Sequence, residues 1–373
     1  MRYTHPALLN FVVILGAASS GMTCAAAEAD KDQLVTDALS AAADIKGAEA
    51  RGEALSDIVL AQARLGDIEG AMRTAVGIGQ GRNKVFAFTS ISEELALAGN
   101  IDGAKGMLEK VDADAKENVY RGIVKGLAKK GDLAGAKAAA TNVKYPFYAA
   151  LASRYIALAQ AAAGDHEAAR ATIGTITNSM DSVEAYTELA ARELKAKKEE
   201  EARKTMELAR AAAKDKGAYP SAFLAAAEIR AGNSAAAAAI AARFSDASDR
   251  DLILGKIADA QTEVGDFGGA KSTAEKIPDA GSKIYSYAKL APAMIRSDKK
   301  EAQSLLKRSV ELLAGIDRQF SHTSAAGSIA EMMAKIDGTE AATTWARSQA
   351  DPEMRVAALL GVISTLPNYH QPE

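Results

Sequence analysis

The stretch Ile156-Ala157-Leu158-Ala159-Gln160-Ala161-Ala162-Ala163-Gly164-Asp165-His166-Glu167-Ala168-Ala169 carries the reading of the whole chain. Ile156, Ala159, Gln160 and Ala163 fall on one face at helical spacing. Gly164 supplies a residue that accepts the left-handed backbone at a helix C-terminus, and Asp165 caps the helix that follows. The segment therefore reads as helix A, tight turn, helix B, anchored by Ile156 before the turn and Ala169 after it. Ile257, Ala260, Gln261, Val264, Gly265-Asp266 and Ala270 repeat it.

The same pair, a large aliphatic residue and an alanine thirteen positions on, recurs along the chain. It is found at Ile58/Ala71, Ile91/Ala104, Ile123/Ala136, Ile156/Ala169, Leu189/Ala202, Leu224/Ala237, Ile257/Ala270 and Ile329/Ala342; Leu290/Ala302 is one residue shorter. Gly66-Asp67, Gly99-Asn100, Gly131-Asp132, Gly164-Asp165, Gly232-Asn233 and Gly265-Asp266 mark the turns, while Lys197 and Ser297 take the glycine position in the fifth and eighth units. A lone hairpin of this kind cannot bury its apolar face, so neighbours must stack. Alanine favours helix and lets helix axes approach closely. Alternating strand patterns are absent. The chain therefore reads as all-α: one elongated stack of about nine hairpins instead of two or three globules. The wider gap before Ile329 predicts a longer helix B in the eighth unit or an insertion near Gly315–Ser321.

Composition agrees. The 373 residues carry 45 Lys+Arg and 48 Asp+Glu, a formal charge of −3, which lacks the positive excess of a nucleic-acid binder. One cysteine cannot form an intramolecular disulfide. Aromatics at 5% would not fill several large cores, but a stack of alanine-lined hairpins does not need them.

These units resemble tetratricopeptide repeats, whose hairpin carries G-x-x-x-x-A across the turn; the six Gly-to-Ala pairs above match it. The family's small residue late in helix A is similar to Ala61, Ala159 and Ala260, and its large residue early in helix A is met by Leu55, Phe88, Tyr120, Tyr186, Leu254 and Tyr287. The resemblance covers roughly residues 49–350. It implies a right-handed superhelical α-solenoid with capping helices over 31–46 and 352–366. The common period is 33 where the family's is 34. Gln62, Gln160 and Gln261 stand where the family places an aromatic residue.

Residues 1–27 read as a secretory leader: Arg2 and His5 precede the apolar run Leu8–Leu15, and Cys24-Ala25-Ala26-Ala27 offers a small-residue cleavage site after Ala27. A lipid-attachment site would place Leu and Gly or Ala where Gly21 and Thr23 stand, so a lipid anchor at Cys24 is not expected. The mature chain would then be cysteine-free and periplasmic or secreted, with the stack over 28–366 and a fraying tail over 367–373. No later segment approaches the roughly 20 apolar residues of a membrane span.

Chemistry-bearing motifs are scarce. His166, His322 and His370 form no i, i+4 pair, and His166 after the turn aspartate reads as a solvated helix-start residue. Gly77-Ile78-Gly79-Gln80-Gly81 follows a helix, not a strand, and reads as an inter-repeat loop instead of a phosphate cradle. Glu199-Glu200-Glu201 opens a helix, where negative charge is favoured. Trp345 and Met332-Met333 fall at packing positions. No catalytic residue, metal or cofactor is implied. In the resembled family helix A lines the concave face, which would present Asn118, Arg121, Lys125, Lys129 and Arg154 as a basic clamp for a peptide carboxylate. The groove would be basic early and acidic late, where Asp259, Glu263 and Glu331 fall. The expected function is a non-catalytic scaffold binding protein or peptide partners through this groove. The alternatives are a small-ligand or cell-wall-glycan binder using Phe86, Tyr219 and Tyr285, and an accessory subunit of an envelope enzyme complex.

Overall fold

The computed structural model describes residues 30–316 and 320–370. The leader, with Cys24 and the cleavage position after Ala27, lies outside the described residues, as do residues 317–319 and 371–373.

The chain is all-α, with no strand among the described residues. Helix α1 spans residues 30–43. After it, two series alternate. The even-numbered helices are α2 (Ala48–Arg64), α4 (Arg82–Ala98), α6 (Lys116–Lys130), α8 (Pro146–Ala162), α10 (Ser179–Lys195), α12 (Ala218–Arg230), α14 (Ala247–Glu263), α16 (Ala280–Met294), α18 (Phe320–Ile336) and α20 (Pro352–Ile363). The odd-numbered, mostly shorter helices are α3 (Ile68–Val76), α5 (Ile101–Gly106), α7 (Leu133–Ala140), α9 (His166–Gly174), α11 (Glu199–Ala213), α13 (Ser234–Ala241), α15 (Phe267–Glu275), α17 (Lys299–Leu313) and α19 (Thr339–Arg347). Helix α17 runs 15 residues against nine in α15, which absorbs part of the wide gap before Ile329. The Gly77–Gly81 segment is the loop between α3 and α4, with Ile78 buried beneath it.

The turn chemistry follows the sequence closely. Gly66, Gly99, Gly131, Gly164, Gly232 and Gly265 all sit at positive φ, between 79° and 90°. After each, the next residue's amide donates to the carbonyl five residues back at 2.8–2.9 Å, closing the helix end. Lys197 takes the same left-handed conformation at φ 59° without glycine's freedom. Ser297 does not; there Asp298 N bonds to Met294 O, four residues back. Asp67, Asn100, Asp132, Asp165, Asp266 and Asp298 each accept a backbone amide three residues on, capping the odd-numbered helix.

The alanine anchors explain the close packing. All nine, Ala71 through Ala342, are at most 1% exposed, so each is the point where two helices meet without room for a longer side chain. Even-numbered helices also touch their successors. A Cβ on Gly126 of α6 would overlap the Glu93 carbonyl of α4, and one on Gly361 of α20 would overlap the Gly327 carbonyl of α18. Backbone meets backbone at these two crossings.

The glutamines have a specific role. Thr74 Oγ1 donates to Gln62 Oε1 (2.8 Å), Thr172 to Gln160 (2.7 Å) and Thr273 to Gln261 (2.7 Å). Gln62 and Gln261 also donate to the cap carboxylates of Asp67 and Asp266. Each glutamine thus ties its own helix to the next, and Gln62 and Gln261 also to the turn, where a packed aromatic would serve in the resembled family.

The succession of even-numbered helices closes on itself, since α20 packs against α2. Helix α1 completes the closure. Its Leu34, Ala38, Ala41 and Ala42 belong to one buried cluster with α2 and helices α14 to α20. Arg347 of α19 pairs with Asp37 (2.6 Å), and Arg355 of α20 with Asp44 (3.6 Å). Residues 367–370, expected to fray, lie across the seam: His370 N donates to Arg64 O (3.1 Å), and the Arg64 guanidinium bonds to the Tyr369 hydroxyl (3.2 Å) and stands over its ring. The two expected caps are therefore neighbours, and the tail is pinned because two exposed backbone groups and an aromatic ring find partners there.

Candidate functional site

Three cavities lie on the side of the even-numbered helices. One of about 510 Å³ is lined by α2, α4, α6 and the first turn of α8. A second, about 730 Å³, spans α4 to α10 and the tail at Tyr369 and His370. A third, about 610 Å³, straddles the seam between α2, α18 and α20. Glu53 and Asp57 are common to the first and third, and Tyr369 to the second and third. Helices three steps apart in the succession share a cavity only if the surface they form is concave. This face is the candidate site.

The five residues read from the sequence all lie on it, but in two groups. Asn118 and Arg121 line the 510 Å³ cavity, while Lys125, Lys129 and Arg154 line the 730 Å³ one. The latter three are already neutralised. Lys125 and Lys129 both pair with Glu93 of α4 (2.8 and 3.2 Å). Arg154 bridges Glu184 and Glu188 of α10 (2.6 and 2.7 Å). Burial alone would pull the Arg154 guanidinium down, but Glu188 and Glu184 outweigh it and leave the group raised above its ordinary range.

Further round, Arg230 pairs with Glu263 (2.7 Å) and Lys289 with Asp259 (2.6 Å). Carboxylates and cations thus alternate between successive even-numbered helices. The gradient expected from the sequence, basic early and acidic late, is replaced by a ladder of local pairs. The partners lie roughly one period apart in the sequence, so the pairing is legible only when adjacent helices are set side by side.

Arg121 is different. It makes no ion pair among the described residues; its guanidinium stands over the Tyr148 ring at 5.7 Å, and its Nε is buried without a hydrogen-bond partner. Asp57, facing the same cavity, likewise makes no ion pair among the described residues. Water reaches Asp57 through the concavity while protein encloses most of its surroundings. This partial desolvation, reinforced by Glu53 one turn away, pushes its carboxyl up to about 6. Arg82 and Asp114 also line its cavity, and His322, Asp351, Glu353 and Tyr369 stand on the seam side.

The aromatic candidates are exposed: Phe86 on α4, Tyr219 on α12 and Tyr285 on α16. Tyr219 donates to Glu184 (3.0 Å), and its hydroxyl is pushed up to about 12 by burial and by that carboxylate. Lys289 stands over the Tyr285 ring at 4.7 Å.

His166 is not solvated. It is 9% exposed, with Nδ1 2.8 Å from Glu193 and Nε2 2.8 Å from Lys198. The Lys198 ammonium can only donate, so Nε2 accepts and Nδ1 donates to Glu193. Glu193 is wholly buried and also meets Arg170, so the cluster ties α9, α10 and α11 together. Of the Glu199-Glu200-Glu201 run, Glu201 pairs with Arg170 (2.6 Å) and Glu200 with Arg203 (2.9 Å). Met332 is buried and Trp345 packs against the same cluster. Among the described residues no three His, Cys, Asp or Glu side chains come together as a metal site, and no helix is long and apolar enough to cross a membrane.

No protein-family model matches the chain, and no curated protein matches it. Among solved structures it is similar to Ton1535 from Thermococcus onnurineus NA1, at 15% identity and a TM-score of 0.30, over 82% of this chain and 99% of that one.

Proposed function

We propose that the chain is an exported, periplasmic or secreted scaffold of nine tetratricopeptide-like hairpins wound as a right-handed α-solenoid, which binds a protein or peptide segment along its concave face without catalysing a reaction. The observation that carries this reading is the composition of that face. Its cavities span several helices, set the exposed Phe86 ring and the half-buried Tyr148 and Tyr155 rings beside charged side chains, and run into one another through shared residues. An extended peptide can use all three features at once: apolar contact, directional hydrogen bonds and exchange of local ion pairs.

The test is site-specific photocrosslinking in the full exported chain. Crosslinkers at Phe86 and Lys129, on the concave face, should capture a discrete protein or peptide. Those at Lys105 and Lys137, exposed on α5 and α7, should not. Adducts from the α5 and α7 positions alone would overturn the reading. A glycan-binding reading rests on the exposure of Phe86, Tyr219 and Tyr285. It would gain if Phe86→Ala and Tyr219→Ala abolished retention on cell-wall glycan while leaving protein adducts unchanged.

A further inference from the structure

On this concave face, the charges on and around the 730 Å³ cavity are matched within the protein: Glu93 with Lys125 and Lys129, Arg154 with Glu184 and Glu188, Glu94 with Arg64. Inside the 510 Å³ cavity the pattern breaks. Asp57 on α2 and Arg121 on α6 line one space, carry opposite charges and form no ion pair among the described residues; the Arg121 guanidinium meets the Tyr155 hydroxyl and the Tyr148 ring. Nothing in the fold prevents such a pair elsewhere on the face, where the same side-chain types meet across adjacent helices.

Two further atoms point the same way. Thr89 is 4% exposed and lines the cavity from α4, yet its Oγ1 has no hydrogen-bond partner among the described residues; neither has the buried Arg121 Nε. Buried polar groups left unsatisfied are costly, so the polar lining of this cavity is not completed within the protein. The floor beneath them is rigid. Gly122 of α6 is pressed so close to the Thr89 carbonyl that a Cβ there would lie 2.6 Å from it. Phe86 and Tyr148 add aromatic surface to its lining.

We propose that this cavity binds a small zwitterion of dipeptide size. Its ammonium would lie against Asp57 with support from Glu53, its carboxylate would take the Arg121 guanidinium and the Asn118 amide, and its apolar side chain would rest on Phe86 and Tyr148. A lone anion would leave Asp57 unmatched, and a lone cation would leave Arg121 so; a zwitterion satisfies both. Guanidinium and carboxylate suit each other geometrically, which gives the ligand one orientation. A volume of about 510 Å³ holds a dipeptide and excludes a folded domain. The inference deepens the peptide reading of the concave face by naming a subsite, but it does not need a long peptide.

Calorimetric titration of the full chain with L-alanyl-L-phenylalanine tests it, beside the N-acetylated and the C-amidated dipeptide. The free dipeptide should bind saturably, and each blocked form at least tenfold more weakly. Asp57→Asn should abolish discrimination against the N-acetyl form, and Arg121→Gln discrimination against the amide, each variant serving as the folding control for the other. Equal binding of blocked and free dipeptides, or no saturable binding at millimolar concentration, overturns the proposal. Crosslinks to a protein from Phe86 and Lys129 alongside that failure would leave the scaffold reading standing and remove only this subsite.

Discussion

At the scale of single residues, the glutamine clasp and Asp57 give opposite lessons about polar groups near a core. Gln160 is 5% exposed and its amide oxygen is held by Thr172. Replacing it with Leu leaves that hydroxyl without its partner, so Gln160→Leu should cost about 1–3 kcal/mol. A double-mutant cycle with Thr172→Val in urea unfolding should return a coupling near 1 kcal/mol; additivity would show that the clasp contributes nothing. Asp57 runs the other way. Its carboxyl is raised to about 6, above the ordinary value of about 3.9, so the folded protein holds the proton more tightly than the unfolded chain. Its contribution to stability is therefore full below about pH 4 and is lost as pH rises through 6. Asp57→Asn should stabilise the protein at pH 7.5, by less than about 1 kcal/mol because water reaches the group, and the gain should vanish at pH 4. Thermal melts at the two pH values check the sign. The clasp residues were visible in the sequence only as departures from a repeat pattern. Their reason became legible once the partner threonine, twelve residues on, was placed beside them.

At the scale of elements, the hairpin is almost wholly written in local sequence. A glycine at positive φ, a following Asp or Asn cap and a buried alanine five residues after the glycine recur together, because each solves a problem set within one turn of helix. What local sequence does not state is how tightly successive even-numbered helices cross. Gly126 and Gly255 both sit inside helices, and nothing in their neighbours distinguishes them. In the structure, a Cβ on Gly126 would overlap the Glu93 carbonyl and crowd Ala96, whereas one on Gly255 meets nothing within 4 Å. Gly126→Ala should therefore destabilise by about 1–3 kcal/mol or more through overpacking. Gly255→Ala should stabilise by about 0.5–1 kcal/mol, since the unfolded chain loses freedom that the helix never used. Chemical denaturation of the two variants side by side separates packing from propensity. Equal effects would mean that α4 and α6 can part without cost.

At the scale of the whole molecule, the closure between α1, α2 and α20 was illegible in the sequence. Arg347 meets Asp37, and His370 meets Glu94, across nearly the whole length of the chain, and no periodicity marks such pairs. The seam joins residues that a linear reading assigns to separate caps. In a linear stack each unit leans only on its neighbours, so stability is a sum of local terms and the ends fray first. Here the ends support one another: α1 buries Leu34, Ala38, Ala41 and Ala42 in the same cluster as α2 and α14 to α20. A charge placed in that seam should act on both ends together. Ala42 is wholly buried, so Ala42→Arg should displace α1 and leave the opposite side of the succession intact. Hydrogen exchange should show protection lost in residues 30–64 and 351–370 and retained in α6 to α12. The amides of Tyr369 and His370 should be among the first to exchange, since they rest on the seam. Loss confined to α1 would mean that the last helix holds to α2 without it. Uniform loss would mean that the closed succession unfolds as one unit, and the separate clusters of α2 to α14 would then not correspond to separable regions of stability.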